Sequence, residues 1–145
     1  MSADPRTLGW LSRALAHELG AVQQYLAQSM LARLWGETQL AEQFRREAAE
    51  ELGHAERLME RLILLGVAPC ASGLAPARLG RTVDQLLLAN RQMEWDAVHL
   101  YQEALLHATR VRDAAVADLM RSILEEEKAH FAGIDHLLTE RFNHG

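Results

Sequence analysis

The chain has 145 residues and a formal net charge of −5 at pH 7, the size of one domain with a real core and no basic stripe to neutralise phosphates, so nucleic acid is not an expected partner. Leu (25) and Ala (23) far outnumber the 14 β-branched residues, a balance that favours helices over sheet. The single cysteine, Cys70, closes no intrachain disulfide and builds no multi-cysteine zinc site, which makes a reducing cytoplasm the expected compartment.

Residues 1–6 lack the basic lead and apolar run of a secretory signal, and the apolar stretch Leu62 to Ala77 is broken by prolines, glycines and a serine. No membrane span is expected. Asp4-Pro5 reads as an N-cap followed by the first helical position, opening a helix that continues through Leu31 and stops near Gly36. A second helix is predicted from Thr38 to Leu65, ending at Gly66. Thr82 with Gln85 forms a capping-box pattern that opens a third, lasting to Arg110, and Asp113 caps a fourth that extends to Phe142.

The links between these helices are unequal. Those near Gly36 and near Arg110 to Asp113 are short, whereas Gly66 to Arg81 spans about sixteen residues, able to reach ~50 Å when extended. A 28-residue helix is ~42 Å long, so this link can return along a whole helix. The expected fold is all-α: a four-helix bundle of two antiparallel hairpins joined by one long crossover between helices two and three. The whole chain, 1–145, reads as a single domain.

An internal repeat supports two related hairpins. A shift of 76 residues superposes Leu11 on Leu87, Ala21-Val22 on Ala97-Val98, Tyr25 on Tyr101, Glu50-Glu51 on Glu126-Glu127 and His54 on His130. Inside the repeat a Glu is followed 33 residues later by Glu-x-x-His: Glu18 with Glu51 and His54, then Glu94 with Glu127 and His130. Helical periodicity sets Glu18 on a face with Leu11, Leu15, Val22 and Tyr25. It sets Glu51 and His54 with Phe44, Leu58 and Leu65; Glu94 with Leu87, Ala97 and Tyr101; and Glu127 and His130 with Val116, Ile123, Ile134 and Leu137.

Four carboxylates on apolar stripes would prevent folding unless cations or protons neutralise them, because burying each without compensation costs several kcal/mol. No Lys or Arg occupies a matching position. Two divalent cations would balance the four glutamates with both histidines neutral, so a dinuclear centre is inferred. By the pseudo-twofold relation, Glu18 and His54 are terminal ligands of one metal, Glu94 and His130 of the other, and Glu51 and Glu127 bridge. Hard carboxylates with one imidazole per metal suit iron or manganese.

The two Glu and two Glu-x-x-His pattern is the established signature of ferritin-like di-iron carboxylate proteins, and over nearly its whole length the chain resembles a bacterioferritin. Glu18, Glu51, His54, Glu94, Glu127 and His130 match that family's ferroxidase ligands. Tyr25 and Trp35 stand where the family has an aromatic residue near the site and a helix-ending Trp-Gly. The resemblance implies two iron ions per subunit, oxidation of Fe(II) by O2 or H2O2, and storage of ferric mineral inside a hollow shell. It also implies that Glu47 and Glu50 match inner-surface acidic residues that pass iron inward, with a solvated acidic face as the alternative. Tyr25 and Tyr101 are candidates to donate an electron during oxidant reduction, with core packing as the alternative.

Two departures bear on these expectations. The family ligates haem through a methionine directly after the first Glu of the second helix's motif; here that position is Leu52, so haem binding is not expected, and Met59, two turns on, reads as packing. The family also adds a short fifth helix to its cage of roughly 24 subunits, whereas this sequence ends at Gly145. The expected assembly is a dimer-based shell of roughly 12 or 24 subunits, or a dimer. The alternative activity is a non-storage di-iron oxidase or peroxidase working as a dimer or small oligomer. Asp96 with His99 and Glu103 with His107 have metal-compatible spacing but read as surface residues, and His17, His136 and His144 match no pattern.

Overall fold

The computed structural model describes residues 3–144. Four helices follow in order: α1 (Pro5–Leu34), α2 (Thr38–Leu64), α3 (Val83–Arg110) and α4 (Ala114–His144). No strand occurs among the described residues. The caps that the sequence suggested for α1, α3 and α4 are in place, whereas at α2, for which none was suggested, Glu37 makes no side-chain cap bond. The Asp4 carboxylate accepts from Arg6 N at 2.9 Å, and Asp113 accepts from Val116 N at 3.1 Å, satisfying amides that a helix start leaves without intrahelical partners. At α3 the Thr82 hydroxyl accepts from Gln85 N at 3.2 Å, but the Gln85 side chain reaches back to Arg81 N at 2.6 Å, one residue upstream of the standard reciprocal bond.

The ends of α1, α2 and α3 share one device. Glu37 N and Gly36 N bond to the carbonyls of Ala32 and Arg33, Val67 N and Gly66 N to Leu62 and Ile63, and Asp113 N and Arg112 N to Ala108 and Thr109. This paired pattern needs a left-handed residue just past the helix. Gly36 and Gly66 supply it with φ of 80° and 82°, whereas the third end uses Arg112 at φ 59°.

The chain divides into two compact units, one ending at Leu79 and one beginning at Gly80. In the first, α1 and α2 are antiparallel: Glu18 meets His54, Tyr25 meets Phe44, and the Ser29 hydroxyl donates to Ala41 O at 2.8 Å, so partners descend α2 as α1 ascends. The core between them holds Leu11, Leu15, Phe44, Leu58 and Leu62. In the second, Asp84 pairs with Arg141, Arg91 with Asp135 and Glu94 with His130. Helices α3 and α4 are therefore antiparallel as well, around buried Leu86, Leu87, Met120 and Ile123.

The long link is tied down along α1. Gln23 Nε2 donates to Ala75 O at 2.8 Å, and Gln28 Nε2 donates to Arg78 O at 3.0 Å. The chain thus climbs α1 in that helix's own direction after α2 has descended. Four apolar residues of the periodic stripes are half-buried rather than buried. Val22 and Ile134 lie within α1 and α4; Leu65 is half-buried as the α2 C-cap while Leu62 is buried, and Leu137 is half-buried while Leu138 is buried. A helix of 3.6 residues per turn drifts away from any fixed series of whole-residue steps, so some members of a series fall at the edge of the buried stripe.

Candidate metal centre

In the first unit, α1 delivers Glu18 and α2 delivers Glu51 and His54, three residues apart and so on one side of the helix. All three are buried. His54 Nδ1 lies 3.4 Å from Glu18 Oε2 and 3.6 Å from Glu51 Oε2, and one donor atom from each of the three lies within 4.8 Å of the others. The second unit repeats the construction with Glu94 from α3 and Glu127 and His130 from α4. His130 Nδ1 lies 3.5 Å from Glu127 Oε1 and 3.9 Å from Glu94 Oε2. The copies differ in access: the His54 side chain is 6% exposed and that of His130 12%.

Each trio fits a divalent cation by its donor set. Separations of 3.4 to 3.9 Å are long for hydrogen bonds, yet close to the ~3.0–3.4 Å expected between two donors sharing one ion at ~2.1 Å. Two carboxylates balance the charge of one divalent ion, and two oxygens with one imidazole nitrogen match iron or manganese better than a thiolate-seeking metal. Among the described residues no Lys or Arg is buried, so no basic side chain offers compensation from within the core.

Tyr25 is buried, its ring centroid 6.1 Å from that of Phe44, and Tyr101, its counterpart in the repeat, is also buried. Glu47 is half-buried, one turn before Glu51, whereas Glu50 is exposed. Leu52 is exposed and carries no ligand atom, so the residue present does not fit a haem iron ligated from that position. Met59 is half-buried.

Among the described residues neither Asp96 with His99 nor Glu103 with His107 joins a group of three metal-binding donors. Asp96 instead accepts from Gln92 at 2.9 Å, and His99 Nδ1 bonds to Trp95 O at 2.9 Å. His17 is half-buried, His136 pairs with Glu140 on the surface, and the side chain of His144 lies outside the described residues. The sequence reading missed Gln24 and Gln28, buried on α1, which meet the crossover at Arg78. The available signal was two uncharged amides at helical spacing beside Tyr25 on the buried stripe of α1.

No described helix is long and apolar enough to cross a membrane. Residues 9–141 match the family model of the ferritin-like domain. The chain is 34% identical to a bacterioferritin of Brucella melitensis biotype 1 over 97% of its own length and 85% of the relative's. It is 32% identical to a bacterioferritin of Mycolicibacterium paratuberculosis over 97% and 86%. Among solved structures it superposes on Rhodobacter capsulatus bacterioferritin with a TM-score of 0.96 at 29% identity, covering 100% of this chain and 91% of that one. That structure is described as having a metal-free dinuclear site and a haem iron in a crystallographic special position. The fold is accordingly the ferritin-like four-helix bundle with a long crossover, and by family model, sequence and structure the chain belongs to the bacterioferritins.

Proposed function

We propose that the two trios form one dinuclear iron centre within a single domain spanning 1–145, where Fe(II) is oxidised to Fe(III) by O2 or H2O2 before storage in a homo-oligomeric shell. The observation that carries this reading is the duplication itself: two trios of Glu with Glu-x-x-His at equivalent places in two hairpins, with all four glutamates and His54 buried and His130 half-buried. Its family context adds support, since relatives at 31–34% identity are bacterioferritins.

In this reading Glu18 and His54 hold one iron and Glu94 and His130 the other, while Glu51 and Glu127 bridge. When bound, an iron pair supplies two electrons to a single oxidant, which neither ion does alone. The carboxylates keep ferrous and ferric charge tolerable in a buried site, and the imidazoles complete each ligand set without adding charge. In the same reading Tyr25, packed on Phe44, donates an electron, and Glu47, between core and solvent, passes iron onward with Glu50. Haem plays no part through Leu52. The expected location is the cytoplasm, and the expected assembly a dimer-based shell or a dimer.

Aerobic addition of Fe(II) followed by stopped-flow absorbance tests the activity: a fast phase should saturate at about two irons per subunit before slower mineral growth, and His54→Ala should abolish it. Oxidation no faster than in buffer would overturn the reading. Light scattering of the loaded sample separates storage from the alternative oxidase or peroxidase, since a particle of dimer mass with no retained iron would favour the latter.

A further inference from the structure

The repeat is broken at one chemically telling place. Glu94 and His130 are each followed directly by an aromatic residue, Trp95 and Phe131, whereas Glu18 and His54 are followed by Leu19 and Ala55. The two aromatics meet across α3 and α4 with ring centroids 5.3 Å apart. The His99 ring closes on the indole at 4.5 Å and is fixed by its Nδ1 bond to Trp95 O. A carbonyl only accepts, so that nitrogen donates. Arg91 lies over Phe131 at 5.0 Å and is held by Asp135 at 2.8 Å. The Trp95 indole is therefore held between two neighbouring rings, those of His99 and Phe131, yet 47% of Trp95 remains open to solvent.

We infer that Trp95 is a one-electron relay between the surface and the second half of the centre, an inference that rests on the function proposed above. Indole is among the most easily oxidised side chains. Consecutive Cα atoms stand about 3.8 Å apart, so a short covalent path within α3 joins the indole to the Glu94 carboxylate. Reduction of H2O2 to two waters takes two electrons and two protons. Where only one Fe(II) is present, it gives one electron and becomes Fe(III). Trp95 gives the other, releases its indole N–H proton to solvent and becomes a neutral radical. A second Fe(II), arriving from solution at the exposed indole edge, returns the electron while water returns the proton. The sum is two Fe(II) oxidised, one peroxide reduced and the indole restored.

The other two tryptophans are internal controls. Trp35 is 37% exposed, comparable to the 47% of Trp95, and ends α1 rather than following a ligand; Trp10 is half-buried beside Arg13. The full chain, given substoichiometric Fe(II) anaerobically, is mixed with H2O2, frozen for EPR, and mapped by peptide mass for oxygen addition to indole. The expected result is an indole radical that disappears in Trp95→Phe, persists in Trp35→Phe and gives way to a phenoxyl signal in Trp95→Tyr, with oxygen added at Trp95 and at neither other tryptophan. A radical surviving in Trp95→Phe, or equal oxidation of Trp35 and Trp95, overturns the relay while leaving the fast Fe(II) oxidation phase intact. Absence of that fast phase in the unsubstituted protein overturns the proposed function as well.

Discussion

His54 holds Nδ1 3.4 Å from Glu18 Oε2, a closer approach than the 3.9 Å between the matching atoms of His130 and Glu94. The tighter pair is also the less exposed one. A trio already near the spacing an ion requires loses less freedom on binding, so the two positions should differ in affinity.

Anaerobic titration with Co(II), followed by its visible absorption, should therefore show two phases. His54→Ala should remove the tighter and His130→Ala the weaker, each by about 10–100-fold or more in affinity. A single phase of equal sites in the unsubstituted chain would contradict the asymmetry.

Glu51 is fully buried, and a buried charge is costly to the metal-free fold but useful to the loaded one. Glu51→Gln keeps the shape and removes the charge. The metal-free variant should unfold at a higher temperature than the parent, by about 1–3 kcal/mol of added stability. The rise in Tm on adding Co(II), worth about 2.7 kcal/mol for a ligand at a hundred times its Kd, should shrink or vanish. Calorimetry with and without metal checks both.

The crossover is fastened by side chains rather than by secondary structure. Gln28 is buried and donates to Arg78 O, so Gln28→Ala removes that bond and opens space beneath the link. The expected cost is about 1–3 kcal/mol, with faster limited proteolysis between residues 67 and 79 and unchanged helical content by circular dichroism. Cleavage at the parent rate would show that Gln28 is not the fastening.

Helix ends give an opposed pair of substitutions. Gly66→Ala forces a side chain into the left-handed region and should cost about 1 kcal/mol. Arg112→Gly relieves that cost at the equivalent position after α3 but loosens the unfolded chain, for a net change within about 0.5 kcal/mol of zero. Chemical denaturation of the two variants beside the parent measures the difference.

Helix starts and stops were legible because they depend on neighbours in sequence: Asp4, Thr82 and Asp113 cap by bonding amides two or three residues away. Burial of Glu18, Glu51, Glu94 and Glu127 was legible for a related reason, since each falls on an apolar stripe whose period is that of the helix. Val22, Leu65, Ile134 and Leu137 fall at the edge of their stripes and are half-buried, because the fractional period drifts away from whole-residue steps. The path of the crossover and the role of Gln24 and Gln28 were not legible at all. Their partners lie 50 to 54 residues away, and a side-chain amide that accepts from a backbone N–H, as Gln24 does, or donates to a backbone carbonyl, as Gln28 does, requires no particular residue type at the other end.

From sequence alone came the four helices, their duplication and the six candidate donors, because periodicity, capping and charge burial are local or additive properties of the chain. Only the tertiary structure decided how closely each histidine approaches its glutamates, that the two copies are unequal, and that Trp95 meets Phe131. Those are distances between side chains on different helices, set by how the packed surfaces interlock, and no one-dimensional pattern encodes them.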